Sequence, residues 1–502
     1  MTHVAFQSGA RAELEADYVV VGSGAGGATA ALTLARGGAS VALVEAGPWR
    51  DPQDYPHSGY GVLRDLADTW GTSFTRGRAF WPILQSSLVG GTTVINSAIC
   101  VRTPADVFER WQAETGIDGP ALARAVWQAQ DELEAELSAV PVPLSARGRH
   151  NLLAHAGADK LGYENHAMTR YVRDCQGSGR CLQGCRADRK QSLNRNFVPE
   201  LLALGGTLVS CAPVQRLQLR EGRASGVEGR FKHPQSRQLG AAFQVRARRG
   251  VFVAASVTGS PLLLARSGVR NPLLGQGFRS HPGAPVFGCY DEHVDMNRGA
   301  TQGWSSLAFR QELGLKLETL SMPLDLLAGR LPGSGQQLME RLLDFRHLAM
   351  WAVAVRADAV GYVKRGFGGR PVVHYTLTQD DMKRLRAGLY VLAQTHVAAG
   401  ARAILPAIDG LPYRLAPNEI DRLKDAPLDP RAYVAILSHL FGGCVLGRDR
   451  DHSVCDERGR VHGYENLWIA DASAIPSTLG VNPQHTIMAL ARVWARRALE
   501  EN

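Results

Sequence analysis

Gly22, Gly24 and Gly27, within Gly22-Ser-Gly24-Ala-Gly26-Gly27, have the G-x-G-x-x-G spacing of a dinucleotide fingerprint. The first glycine permits a tight turn, the second lets backbone approach a pyrophosphate, and the third lets a helix pack closely on a strand. Glu45 follows 23 residues after Gly22, where a carboxylate can accept both ribose hydroxyls. Such an acid repels the extra phosphate of NADP and leaves NAD and FAD open. A second constellation, Cys175, Cys181 and Cys185, lies in a Gly/Arg-rich loop with Arg189, Lys190 and Ser192 behind it. Its C-x5-C-x3-C spacing matches neither the common zinc patterns nor the ferredoxin pattern, and no fourth ligand is adjacent. A loop packed over the cofactor is expected there, and no metal.

The elements needed to position a dinucleotide stand in register around the glycines. Asp17 to Val21 (DYVVV) reads as a strand buried on both faces, and ATAALTLA after Gly27 reads as a small-residue helix. Gly37-Gly38 ends that helix, and Ser40 to Val44 is the next strand, closing on Glu45. The helix N-terminus offers free N–H groups and a positive dipole end to phosphates. Farther on, the pair Gly90-Gly91 allows backbone to pass close to a flat ligand, and Asn96 can fix a polar edge. Val251 to Ala255 reads as a buried strand, and Pro261 to Gly268 as a short helix stopped by glycine.

The C-terminal stretch is the richest. His439-Leu-Phe-Gly442-Gly443-Cys444 precedes Asn466-Leu-Trp-Ile-Ala-Asp471, then Gly480-Val-Asn482-Pro483-Gln-His485-Thr486 and an apolar helix. Together with the fingerprint and the Gly90 segment, these motifs resemble the glucose–methanol–choline oxidoreductases. The likeness runs from about Asp17 to the C-terminus and is weak across residues 290–430. The closing segment is similar to the family's cholesterol oxidases, and Cys175 to Phe197 to its long-chain alcohol oxidases.

The resemblance implies FAD as cofactor, with Gly22, Gly24, Gly27 and Glu45 holding its ADP half. Gly90, Gly91 and Asn96 would lie beside the isoalloxazine, Val214 at the adenine, and Asp471 at the phosphate–ribityl region. His439 matches the family's catalytic histidine and Asn482 its histidine-or-asparagine partner. A near-neutral histidine suits removal of a hydroxyl proton, and a neutral amide does not oppose a developing alkoxide. Pro483 fits the first turn of a helix whose positive end faces the flavin. His485 either lines the pocket or simply starts that helix, and His281 is expected to be structural. The activity implied is oxidation of an alcohol to an aldehyde or ketone, with oxygen or another electron acceptor. A flavin lyase or a light-driven decarboxylase is the alternative, since the same family hosts both. A bulky apolar alcohol is the expected substrate, from the two likenesses and a Leu/Met/Trp-rich lobe around Trp304, Met322, Met350 and Trp351.

With 502 residues, two lobes are the default. The expected fold is α/β, a Rossmann-like FAD-binding domain interleaved with an α+β substrate-binding lobe. Residues 14–285 would form the main part of the former, with loop insertions at about 101–190. Residues 286–434 would form the lobe, and 435–502 the returning segment with the catalytic residues. Within the lobe, Pro371 to Thr378 reads as a strand, Asp380 to Gly400 as an amphipathic helix, and Leu317 to Leu348 as core or a mobile lid. The net charge of +9 comes from scattered arginines rather than a basic tail, so no nucleic-acid partner is expected. No apolar run reaches membrane-span length and no secretory pattern opens the chain, which points to a cytoplasmic protein without integral membrane insertion. Eight cysteines in a chain this long do not make a disulfide framework.

Overall fold

Two sheets carry the fold of the computed structural model, which describes residues 2–501. The first has eight strands and a parallel centre: Thr207–Val209, Val41–Val44, Ala12–Val21, Leu239–Val253 and Leu467–Ile469 run side by side in that order. Tyr18 to Val21 and Val41 to Val44 are buried throughout, so both faces of this centre need cover. Helices Ala25–Arg36 and Gln484–Glu500 pack against each other to supply part of it. The first helix is nearly all small residues where it is buried, which brings its backbone close to the strands. The strand expected at Val251 to Ala255 is the end of the longer Leu239–Val253.

The second sheet has ten strands, mostly antiparallel, with Gln276–Cys289 as its hub. This strand pairs with Leu348–Val355, Gly361–Arg365, Ala403–Leu405 and Ile436–Phe441. The register sets His281 opposite His439. The C-terminal segment therefore serves both sheets: Ile436–Phe441 in the second, Leu467–Ile469 in the first.

Three expectations change in detail. The strand read from Pro371 ends at His374, because Thr378 instead caps the following helix, Gln379–Ala398. Its hydroxyl accepts the Asp381 N–H at 3.0 Å, and the Asp381 carboxylate accepts the Thr378 N–H in return. Residues 101–190, expected as loop insertions, hold the helices Ala105–Thr115, Gly119–Glu136 and Arg149–Lys160. Val107, Phe108, Trp111 and then Leu122, Val126 and Leu133 recur at helical spacing and are buried, which is why these segments fold against the body. Leu317 to Leu348 splits: Leu315–Thr319 is a fully buried strand, whereas helices Leu324–Ala328 and Gly335–Leu343 cover a satellite cluster with Phe287, Leu348 and Met350. Among the described residues no helix is long and apolar enough to cross a membrane.

Candidate active site

The fingerprint glycines divide by what surrounds them. A Cβ on Gly27 would meet the Gly22 carbonyl oxygen at 1.9 Å, and one on Gly26 the Ala470 carbonyl oxygen at 1.7 Å. Gly22 has φ +95°, a left-handed conformation that side chains disfavour. A Cβ on Gly24, by contrast, meets nothing within 4 Å. The turn is thus closed toward protein and open at its second glycine, the side where a pyrophosphate approaches. Gly91 reaches the same place, since its Cβ would lie 2.7 Å from the Gly24 Cα, and the Gly90 N–H donates to the Ser23 hydroxyl at 3.0 Å. Glu45 is buried at the end of its strand and accepts from the Ser23 N–H (2.9 Å), the Ser23 hydroxyl (2.7 Å) and the Gly47 N–H (2.8 Å). Asp471, also buried, accepts the N–H groups of Ser256 and Ser473 at 2.9 and 2.8 Å. Burial raises both carboxyls, and the hydrogen bonds oppose that. Val214 opens a strand and its carbonyl accepts from Arg266. These residues fit a dinucleotide: an open glycine, free helix N–H groups, and two buried carboxylates at strand ends.

His439 and Asn482, 43 positions apart in sequence, come together, with Asn482 Nδ2 3.4 Å from His439 Nε2. Behind them His281 completes the group: its Nδ1 lies 3.3 Å from His439 Nδ1, and its Nε2 accepts the Gly480 N–H at 3.0 Å. His281, expected to be structural, therefore braces the ring of His439. Burial lowers the His439 imidazole to about 4, with Glu318 pulling it upward and Lys316 pushing it down. Burial also holds His281 well below its ordinary value, helped by His439.

Sequence reasoning missed two charges at this centre. Lys316 and Glu318 form a buried ion pair at 2.8 Å, and the Lys316 ammonium also donates to Asn482 Oδ1. That second bond turns Nδ2 of the amide toward His439. Burial would raise the Glu318 carboxyl, but Lys316, His439 and Asn482 together keep the group below its usual range. The segment Leu-Lys-Leu-Glu-Thr alternates apolar and charged residues, the pattern of a half-exposed strand, so nothing in it signals burial. A narrow gap, too tight for a water molecule, is bounded by His281, Lys316, Ala354, His439, Gly480 and Val481. The four residues expected around the substrate are absent from that boundary. Trp304, Met350 and Trp351 are core residues, Trp351 stacking on His396 with ring centres 3.5 Å apart, and Met322 packs on the satellite cluster. Their apolar character is spent on folding.

Pro483 stands one position before the final helix rather than in its first turn, and its carbonyl accepts the Ile487 N–H at 2.9 Å. Asn96 donates through Nδ2 to Gln484 and accepts the Ala98 N–H at 2.9 Å, tying the Gly90 segment to that helix start. Lys190, a further residue not singled out for a role, is buried and donates to the carbonyls of Val94, Asn96 and Cys181. The cysteine loop thereby clamps the Gly90–Asn96 segment. Cys175, Cys181 and Cys185 line one shallow surface pocket, and their three sulfurs do not all lie within 4.8 Å of one another. Cys100, Glu134 and His485 do approach one another within 4.8 Å. Both His485 nitrogens are engaged, however, one by the Tyr171 hydroxyl and one by Glu134 at 3.1 Å, and Arg102 also holds Glu134.

Comparison with known proteins shows the family. Models of the GMC oxidoreductase N- and C-terminal regions match residues 16–283 and 364–491. An uncharacterized GMC-type oxidoreductase of Mycobacterium tuberculosis is 35% identical over 95% of this chain and 74% of its own length. A long-chain-alcohol oxidase of Arabidopsis thaliana is 26% identical over 97% of this chain and 67% of its own. Among solved structures, pyridoxine 4-oxidase from Mesorbium loti superimposes with a TM-score of 0.72 at 17% identity, covering 96% of this chain and 98% of that one. The chain belongs to the GMC oxidoreductases, FAD-dependent enzymes of mixed α/β fold.

Proposed function

We propose that the chain oxidises an alcohol to an aldehyde or ketone, with His439 taking the hydroxyl proton and Asn482 holding the oxygen. The observation that carries this reading is the His439–Asn482 contact at 3.4 Å, braced on one side by His281 and on the other by Lys316. An imidazole kept neutral by burial carries one unprotonated ring nitrogen and so can act as the base. The amide, its oxygen held by Lys316, presents Nδ2–H to the substrate oxygen. FAD, when bound, supplies the acceptor for the carbon-bound hydrogen, taken as hydride. Gly22, Gly24, Gly27 and Glu45 would hold its ADP half, Val214 the adenine and Asp471 the phosphate–ribityl region. Gly90, Gly91 and Asn96 would lie beside the isoalloxazine, with Pro483 starting the helix aimed at it. The first sheet with its helices is then the cofactor-binding unit, and the second sheet the substrate-binding one.

A bulky or long apolar alcohol is the substrate class, and oxygen or another acceptor closes the cycle. This rests on the long-chain-alcohol oxidase relative. A sugar would need many more polar partners, since each buried unpaired hydroxyl costs about 1–3 kcal/mol. The deciding experiment mixes the yellow protein anaerobically, in the dark, with aliphatic, aryl, sterol and sugar alcohols. Bleaching of the flavin by an apolar alcohol is expected. Bleaching by glucose alone would reverse the substrate class, and no bleaching by any alcohol would remove the oxidation reading.

The two kinds of fingerprint glycine make a second test. Gly24→Ala should leave folding and thermal stability unchanged, because its Cβ meets only open space, yet weaken FAD retention at least about tenfold. Gly26→Ala should lower the melting temperature, because its Cβ would strike the Ala470 carbonyl. Equal FAD content in Gly24→Ala and wild type would move the pyrophosphate elsewhere.

A further inference from the structure

The hairpin formed by Gly361–Arg365 and Pro371–His374 ends in Gly366-Phe367-Gly368-Gly369. Phe367 at its tip is 101% exposed, which no requirement of the fold explains. Lys364, Arg365 and Arg370 flank it, all exposed, and among the described residues none of the three is ion-paired with a carboxylate. Strand Thr75–Arg76 runs parallel to Pro371–His374 with Thr75 opposite Val373. This register sets the exposed Phe74 next to Val372, and the exposed Trp70 lies four residues earlier, just after Asp68, whose carboxyl Arg370 acts on. Trp70 adopts φ +60°, outside the usual range for its type, and remains turned outward.

The electrostatics of this end are one-sided. No acidic residue occurs between Asp68 and Asp106, nor between Asp358 and Asp380. The Asp68 carboxyl, which burial raises, is acted on by Arg237, Lys232 and Arg370 together, so a third basic segment converges here. Exposed aromatic rings beside exposed Lys364 and Arg365, with Arg370 shared with the buried Asp68, match one partner well. Rings enter the boundary of acyl chains while cations meet the phosphates above them. The edge also adjoins the candidate site: the segment after Phe74 bridges Ile83 to Leu437, two residues from His439 on the same strand.

We propose that this sheet edge docks the protein reversibly on an anionic lipid bilayer, with Phe367 and Trp70 entering the interface and Lys364, Arg365 and Arg370 on the headgroups. A single aromatic tip and a few cations give peripheral binding, not insertion. The proposal stands apart from the catalytic reading, because binding is measured without turnover.

The test is co-sedimentation of the FAD-loaded protein with vesicles of phosphatidylglycerol and phosphatidylcholine in equal parts, against vesicles of phosphatidylcholine alone. Binding to the anionic vesicles is expected, weakening steeply with salt. Phe367→Ser should reduce it at least about tenfold, the worth of one buried phenyl ring. Arg365→Gln and Arg370→Gln should each reduce it about fivefold. Melting temperature should be unchanged in Phe367→Ser, since the ring touches no core. Absence of binding to anionic vesicles at low salt overturns the proposal, as does wild-type binding by both the aromatic and the charge variants. A dimer in solution that Phe367→Ser dissociates, with no vesicle binding, would assign the edge to a second copy of the chain instead.

Discussion

Replacing His439 by Ala should slow anaerobic flavin reduction by about 10²–10⁴-fold, the usual worth of positioned acid–base catalysis. FAD should stay bound, because the fingerprint glycines and Glu45 belong to the first sheet and His439 to the second. The wild-type rate should hold across neutral pH and fall only as the imidazole protonates near pH 4, since burial depresses it that far. In the variant this acid limb should vanish along with most of the rate. Asn482→Ala should slow reduction less, because the amide orients the oxygen without accepting its proton. Wild-type rate and pH profile in His439→Ala would send the proton elsewhere, and Glu318 is then the group to examine. The structure displaces His485 from that place: both its nitrogens are taken, so His485→Ala should lower stability by about 1–3 kcal/mol with little effect on rate.

The cofactor half of this protein is legible in its sequence because the constraints there are local. Gly22, Gly24 and Gly27 sit within one turn, and strand, helix and strand around them follow from residues a few positions apart. The pair proposed as catalytic was legible only through family likeness, since nothing in the residues between His439 and Asn482 says that they meet. Lys316 and Glu318 were illegible for a different reason. A charged residue in an alternating strand normally faces water, and here the face it occupies is roofed by segments more than a hundred residues away, those carrying His439 and Asn482. The lobe misled in the opposite sense. Trp304, Met350 and Trp351 suggested a pocket wall by composition, but large apolar side chains fill cores before they line cavities. The early helices Ala105–Thr115 and Gly119–Glu136 carried a readable 3–4 spacing that the weight of the motifs overshadowed.

The ion pair at the centre yields the other large effect. Lys316 is 2% exposed and Glu318 11%, so Lys316→Met leaves a buried carboxylate without its partner. Breaking such a pair from one side typically costs about 3–5 kcal/mol, enough to lower the melting temperature by several degrees. Replacing both partners, as in Lys316→Met with Glu318→Leu, should recover much of that loss, because neither charge then remains buried alone. Stability alone would not separate a positioning role from ordinary packing, but the pH profile does. Lys316 pushes the His439 imidazole down and Glu318 pulls it up. Lys316→Met should therefore move the acid limb of flavin reduction upward from about pH 4 toward the ordinary histidine range. Glu318→Gln should move the same limb downward, in the opposite sense from an equally disruptive change. Asn482, released from its ammonium in Lys316→Met, would also lose the bond that turns its Nδ2 toward the substrate oxygen, so the limiting rate should fall even where His439 is neutral. Stopped-flow reduction across pH reads both effects at once. Limbs that stay at the wild-type position in both single variants would show that the pair only fills space beneath His439.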